Sequence, residues 1–363
     1  MKKEEINIAF LGDVMPGGIL DATRFCSEEM LAELKTFDIR IATLECAIGN
    51  DLDFDVEKME REDWRNIIFS SNESLKKLKD MHIDLVSLAN NHIFDLGEEG
   101  LRNTIKLLDE LGIKHVGAGI DLSSTQMPTV INLKGYSLAF LAYMPHWWEA
   151  PHPADESKPG INLFYIERVL NDVREAKRIH DFVFVLPHWG LEYTYFPTNR
   201  ERIYANLIID AGADGIIGSH THQIQPSIFR KGKPICFSLG NFLFPDFYIQ
   251  PTRPIWYPVE NDVVDDIDIT YDYPEYTDKF LKRVWKHKNR IGLIAKITIN
   301  ERSKSIKLYH IYTYLNSNNQ IVKYRHHLCL SVILFIIGAS LKLPIYQFLY
   351  RAKNKLCRMF NIE

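Results

Sequence analysis

The chain has 363 residues, 46% hydrophobic and 25% charged, which is enough apolar material for a large buried core. Its formal net charge of -4 speaks against a nucleic-acid binder, which would carry a basic field. The five cysteines (Cys26, Cys46, Cys236, Cys329 and Cys357) are odd in number and form no CxxC, which excludes a disulfide framework and a thiolate zinc site and fits a reduced, cytoplasmic setting.

The opening MKKEEINIAFLGDVM has two acidic residues where a secretory signal needs its apolar run, so 6–11 reads as a first strand and not a targeting segment. From there to about 245, short apolar runs bounded by turn residues predict strands over 39–44, 83–89, 129–133, 137–143, 182–187, 215–218, 226–229 and 234–238. Amphipathic stretches between them predict helices over 28–36, 72–81, 97–111, 163–179 and 199–212. The third of these carries Leu101, Ile105, Leu108 and Leu111 at helical spacing and stops at Gly112. Asp95 to Glu98 has the spacing of a capping box for it. This alternation predicts an α/β domain with sheet layers covered by helices.

Residues 245–290 are rich in Pro, Tyr, Trp and Asp and read as an irregular insertion. Strands over 292–299 and 305–314, with a turn between them, predict a hairpin on the sheet edge. One domain over 1–315 is therefore expected, followed by a basic and apolar appendage over 316–363. Within that appendage, LCLSVILFIIGASL at 328–341 is uncharged but shorter than the roughly 20 residues of a membrane span. Three readings stay open for it: a buried or dimer-forming helix, an interfacial anchor with basic flanks on an anionic leaflet, and a span. A membrane surface or a membrane synthase is thus the candidate partner for 320–360, with the chain peripheral at the inner face.

Polar residues gather where strands should end. Asp13 follows the first strand, Glu45 the second, and Asn90, Asn91 and His92 the third; His188 follows 182–187, and His220 and His222 follow 215–218. In α/β sheets, sites collect beyond the carboxyl ends of strands. Carboxylate, imidazole and amide oxygen suit one or two divalent ions (Mn, Fe, Zn or Mg) that can make bound water nucleophilic. Each residue alone has a plainer reading: Asp13 as a turn former, Asn91 as a cap, His188 as a packed ring. The His220-Thr221-His222 pair is the strongest local signal. His146, Trp147, Trp148 and His152 form a second cluster, either a substrate lip or exposed packing.

The stretches FLGDVMPGG, TLECAI, SLANNHIFDLGEEGL, HVGAG, LPHWGLEY, LIIDAGADGIIGSHTHQIQP and KGKPICFSLGNFLF, in this order, resemble the poly-γ-glutamate capsule-synthesis (CapA) family, which is similar to the calcineurin-like metallophosphoesterases. The resemblance covers about 6–245 and the strands near 292–314. It implies a four-layer α-β-β-α sandwich with its site at one edge. It also implies Glu45 as bridging ligand, Asn91, His188 and His220 completing one metal site, Asp13 and His222 serving another, and His92 as general acid. Asn90, Asn241 and His146 would line the site. Met15 stands where phosphoesterases usually carry a histidine ligand, and Glu45 where they carry Asp, which leaves the Asp13 half-site short of a ligand. The implied function is a metal-dependent hydrolase of capsule or exopolysaccharide production, acting on a phosphoester or an amide-linked polyanionic polymer such as poly-γ-glutamate. The alternative is a non-catalytic assembly subunit of a membrane-bound synthesis complex.

Overall fold

The computed structural model describes residues 5–17, 25–50, 68–146, 152–245, 247–249, 281–283, 285–300 and 303–324. The chain first lays down four parallel strands, β1 (Glu5–Val14), β2 (Ile39–Leu44), β3 (Leu85–Ser87) and β4 (Lys114–Val116). It then builds a second sheet from β5 (Thr129–Leu133), β6 (Tyr136–Tyr143), β7 (Phe182–Pro187), β8 (Gly215–Ile217), β9 (Ser227–Arg230) and β10 (Lys233–Cys236), in the order β9-β10-β8-β7-β6-β5. Finally β11 (Asn241–Leu243), β12 (Ile291–Asn300), β13 (Ile306–Leu315) and β14 (Ile321–Lys323) return to the first sheet. Its order is β14-β13-β12-β1-β2-β3-β4, with β11 beside the end of β1.

Strand periodicity explains the layering. Leu138, Phe140 and Ala142 of β6 and Phe182, Phe184 and Leu186 of β7 join the core shared with the first sheet. Their alternates, Ala139, Leu141, Tyr143, Val183 and Val185, pack on the other face. Residues two apart share a face, so strands covered on both sides read as unbroken apolar runs. Phe10 meets Phe184 at 5.3 Å and Phe140 at 6.4 Å between ring centroids, which ties the two sheets together. Helices α1 (Glu28–Leu34), α2 (Lys76–Asp80) and α3 (Gly97–Leu111) bury Met30, Leu34, Leu78, Leu101 and Leu108 in the cluster of the first sheet. A short α4 (Leu122–Gln126) follows, capped by Asp121 and Ser124. Helices α5 (Ile166–Ile179) and α6 (Asn199–Ala211) set Val169, Leu170, Val173, Ala176, Ala205, Ile208 and Ile209 on the outer face of the second sheet. The result is the expected four-layer α-β-β-α sandwich.

Several local expectations change. The strand expected over 83–89 pairs only at Leu85–Ser87, because Ala89 to His92 turn into the site. The helix expected over 72–81 is a 3₁₀ turn, Glu73–Leu75, running into α2. The hairpin of β12 and β13 does not end the sheet: residues 295–300 of β12 pair with β1, and the short β14 adds a rim beside residues 313–315 of β13. Helix α3 ends on Gly112 in the left-handed region, but Asp95 does not cap its start; Leu96 holds that position and no side chain caps it. The Asp95 carboxylate instead accepts from the Ile68 N–H and contacts His92. In the expected insertion, Phe247–Ile249 pairs antiparallel with Leu281–Arg283, while 250–280 lies outside the described residues. The apolar 328–341 stretch and the rest of 325–363 also lie outside them. Among the described residues no helix is long and apolar enough to cross a membrane.

One close approach positions the site. Asp13 N–H donates to the Gly240 carbonyl at 3.0 Å, and Met15 N–H to that of Leu243 at 2.7 Å, so β11 lies along the end of β1. A Cβ on Gly12 would fall 1.8 Å from the Gly240 oxygen, and Gly240 itself has φ +67°. Backbone on both sides leaves nothing soft to move. Gly12→Ala is expected to destabilise the fold by roughly 3 kcal/mol, the upper end of overpacking. A urea midpoint within experimental error of the parent's would refute this role for the contact.

Candidate metal centre

Parallel strands in both sheets deliver their ends to one edge. Asp13 closes β1, in register with Thr43 and Asn241. Glu45 follows β2 and is tied back by its N–H to the Val14 carbonyl at 2.9 Å. His188 follows β7 and bridges to Ser219 in the loop after β8, which carries His220 and His222. Asn241 opens β11. All are buried.

Two groups of ligand-capable atoms form, each with its atoms within 4.8 Å of one another: Glu45, His188 and His220, and Asp13, Glu45 and His222. Glu45 belongs to both. In the first, His188 Nε2 lies 2.8 Å from Asn91 Oδ1, 3.1 Å from His220 Nδ1 and 3.4 Å from Glu45 Oε1. In the second, His222 Nε2 is 3.6 Å from Glu45 Oε1, and the His220 N–H donates to Asp13 Oδ2 at 3.2 Å.

Supporting contacts set the rings. His188 Nδ1 meets Ser219 Oγ at 2.9 Å, which turns Nε2 inward. Asn241 donates its amide to the Asn289 carbonyl at 3.1 Å, leaving Oδ1 to accept from His222 Nδ1 at 2.8 Å. The lone pair of His222 Nε2 then faces Glu45. Such outer contacts fix imidazole tautomers in metal sites. Asn90 clamps two strand ends, donating to the Leu44 carbonyl at 2.7 Å and accepting from the His92 N–H at 3.0 Å. His92 Nδ1 is 2.7 Å from Asp95 Oδ2. That oxygen already accepts from Ile68, so the ring donates to it through Nδ1.

The backbone is strained here. His220 has φ +93° and His222 φ +50°, conformations that cost a non-glycine residue on the order of 1–3 kcal/mol each. The loop is pinned by Gly218 N–H to the Cys236 carbonyl, Tyr193 N–H to that of Thr221, Thr221 Oγ1 to the Gln223 carbonyl, and Asn289 to that of His222.

Burial pushes Asp13 up to about 8, against the opposing hydrogen bonds from the His220 N–H and with Glu45; the charge of Glu192 adds to the rise. Burial, then the neighbouring His220, His222 and His92, hold His188 well below the usual imidazole value. A neutral imidazole presents a lone pair, and carboxylates packed this closely call for a cation. The donor set therefore fits a divalent ion.

His146 is exposed, against Tyr165 at 5.1 Å, and belongs to neither group. Trp147 and Trp148 lie outside the described residues, whereas His152 stacks on Phe94, two residues after His92 in the chain, at 4.3 Å. Met15 is buried in the core. Residues not foreseen are Asp95, Ser219, Glu192, Asn289 and a ring wall of Tyr193, Phe244 and Trp285 around His222, at 5.8, 5.1 and 5.1 Å. Asp95, three residues after His92, was visible but read as a cap; Asn289 gives no sequence signal.

The sequence matches the family model described as bacterial capsule synthesis protein PGA_cap over residues 7–246. The chain belongs to this family. Relatives include the PGA biosynthesis protein CapA of Bacillus subtilis, 35% identical over 48% of this chain and 46% of that protein. The capsule biosynthesis protein CapA of Bacillus anthracis is 28% identical over 67% and 61%. A probable polyglutamine synthesis accessory protein of Mycobacterium tuberculosis is 31% identical over 43% of each. The matched stretches span about half the length of these curated relatives. Among solved structures, a phosphatase of Mycoplasma pneumoniae shares 13% identity over 85% of this chain and 94% of its own, with a TM-score of 0.48. A putative 5'-nucleotidase of Staphylococcus aureus shares 11% over 93% and 58%, with a TM-score of 0.47. The family stretches named above carry every residue of both groups: Asp13, Glu45, His188, His220 and His222.

The raised Asp13 value has a sign. The folded chain holds this proton more tightly than the unfolded one, so its contribution is full below the ordinary value of 3.8 and is lost as pH rises through about 8. The metal-free protein should therefore lose stability across that window. A metal held by the Asp13 group must displace the proton, so filling that group with manganese at pH 7 should release about one proton per chain. Calorimetry in buffers of different ionisation heat measures this; heats independent of the buffer would contradict it.

Proposed function

We propose that this PGA_cap chain is a metal-dependent hydrolase of capsule-polymer production, cutting a phosphoester or the amide link of a polyanionic polymer of the poly-γ-glutamate type. The observation that carries the reading is the sharing of Glu45 by two adjacent buried groups of carboxylate and imidazole. Glu45, His188, His220 and Asn91 would hold one ion, and Asp13, Glu45 and His222 a second. A bound ion there supplies Lewis-acid polarisation and acidifies water. The second group has no ligand from position 15, because Met15 packs in the core, so the first is the stronger site.

The chain's own residues divide the remaining work. In hydrolysis a water oxygen bonds to phosphorus or to the carbonyl carbon while the bond to the leaving oxygen or nitrogen breaks. The leaving atom needs a proton. His92 offers it from Nε2, held in orientation by Asp95 at Nδ1. Asn90 fixes the loop that carries His92 against the strand that carries Glu45.

The test is turnover of an aryl phosphodiester and of a γ-linked glutamate oligomer by the full-length chain with manganese. His188→Ala should lose both bound metal and activity. His92→Gln should retain the metal and lose about 10²–10⁴ in kcat, the usual worth of a positioned acid. Metal binding without turnover of either compound would leave the assembly-subunit reading in its place.

A further inference from the structure

One apolar face of the first sheet runs out past its cover. Residues opposite each other in a ladder share a face. Leu293, Ala295 and Ile297 of β12 are fully buried, and they stand opposite Tyr312, His310 and Leu308 of β13. One strand further out, Leu308 and Tyr312 are only half-buried and His310 is exposed. Tyr314 continues this face opposite Val322 of β14, and Tyr324 follows on the same side. All three are half-buried, and the rings of Tyr314 and Tyr324 meet at 5.6 Å. A sheet rim that faces water carries polar side chains at such positions. Here the composition of the core persists.

The chain itself supplies a cover. Tyr324 N–H donates to the Tyr312 carbonyl at 2.9 Å, so the backbone passes 324 against this face. Leu328 is four residues on, within about 14 Å of Tyr324 however the link runs. From there LCLSVILFIIGASL carries no charge over 328–341. It falls short of the roughly 20 residues that cross a bilayer, and apolar surface of that extent calls for a partner. Strand β14 pairs only 313–315 of β13, so 306–311 has no strand on that side among the described residues. That run extends about 20 Å. A segment as long as 328–341 spans about 21 Å even at a helix's rise of about 1.5 Å per residue. The short link makes the contact intramolecular, at an effective concentration that a separate partner would have to exceed.

We propose that the apolar stretch 328–341 docks on the open face of β13 and β14 and closes the core there. The appendage is then part of the fold rather than a membrane anchor. This docking does not depend on catalysis.

The experiment uses the full-length chain and its Tyr312→Glu and His310→Glu forms, each checked for folding by its thermal midpoint. His310 is exposed, so the second form carries the test where the first fails to fold. Hydrogen exchange over 328–341 is followed by mass spectrometry across a range of dilutions. In the parent it should be at least about a hundredfold slower than in an unstructured peptide, and independent of dilution. Each substitution sets a carboxylate in the apolar contact and should speed exchange about tenfold or more. Flotation with anionic phosphatidylglycerol vesicles is the second measurement. The parent should stay unbound, and the Tyr312→Glu form, its stretch released, should bind. Fast exchange over 328–341 in the parent, or protection that neither substitution alters, overturns the proposal. Protection lost on dilution also overturns it and assigns the stretch to a second copy, and flotation of the parent does so in favour of lipid.

Discussion

Two carboxylates and three imidazoles share one buried edge of the sandwich, and this concentration of ligand atoms governs the surrounding structure. A lone carboxylate in such surroundings is costly. Burial accordingly pushes Asp13 up to about 8. The arrangement persists because each side chain leaves a strand end whose backbone is fixed by the sheet behind it. The His220–His222 loop goes further, keeping two residues in the left-handed region by bonds to β10, to Tyr193 and to Asn289. Strain of that kind survives only where neighbours over-determine the conformation.

Around the ligand atoms lies a second set of residues whose work is orientation. Ser219, Asn241 and Asn289 turn His188 and His222 so that chosen nitrogens face Glu45. Asp95 does the same for His92, and Asn90 joins the two loops. The division between atoms that could bind and atoms that aim them is what separates this edge from an ordinary polar cluster.

Much of this was legible in the sequence, and the reason is positional. Unbroken apolar runs such as FVFVLP announce strands buried on both faces, and the polar residue directly after each run marks the strand end. That logic located Asp13, Glu45, Asn91, His188, His220 and His222 without knowledge of how the strands pair. It failed where the signal is a relation between distant segments. Asn289 meets His222 only because β12 lies against β1 and β11. Asp95 was assigned to a helix cap because its spacing allowed that role; burial beside Ile68 and His92 gives it another. The strands at 114–116 and 321–323 escaped notice because three residues with a charge among them carry too little period to read.

The central place of β1 has a consequence for how the protein is made. Its neighbours are β2, some 30 residues on, and β12, nearly 300 residues on. The crossing of Gly12 with Gly240 adds a third distant partner. Loop closure over such separations is slow, and nascent chains emerge N-terminus first. Strand β1 precedes its partners in the chain and is therefore among the last to be enclosed on both sides. Asp13 waits with it, so a chain stopped before β11 could hold the His188 side of the edge but not Asp13 in its place. Assembly of the Asp13 group is thus a late event, completed only when β11 and β12 have docked.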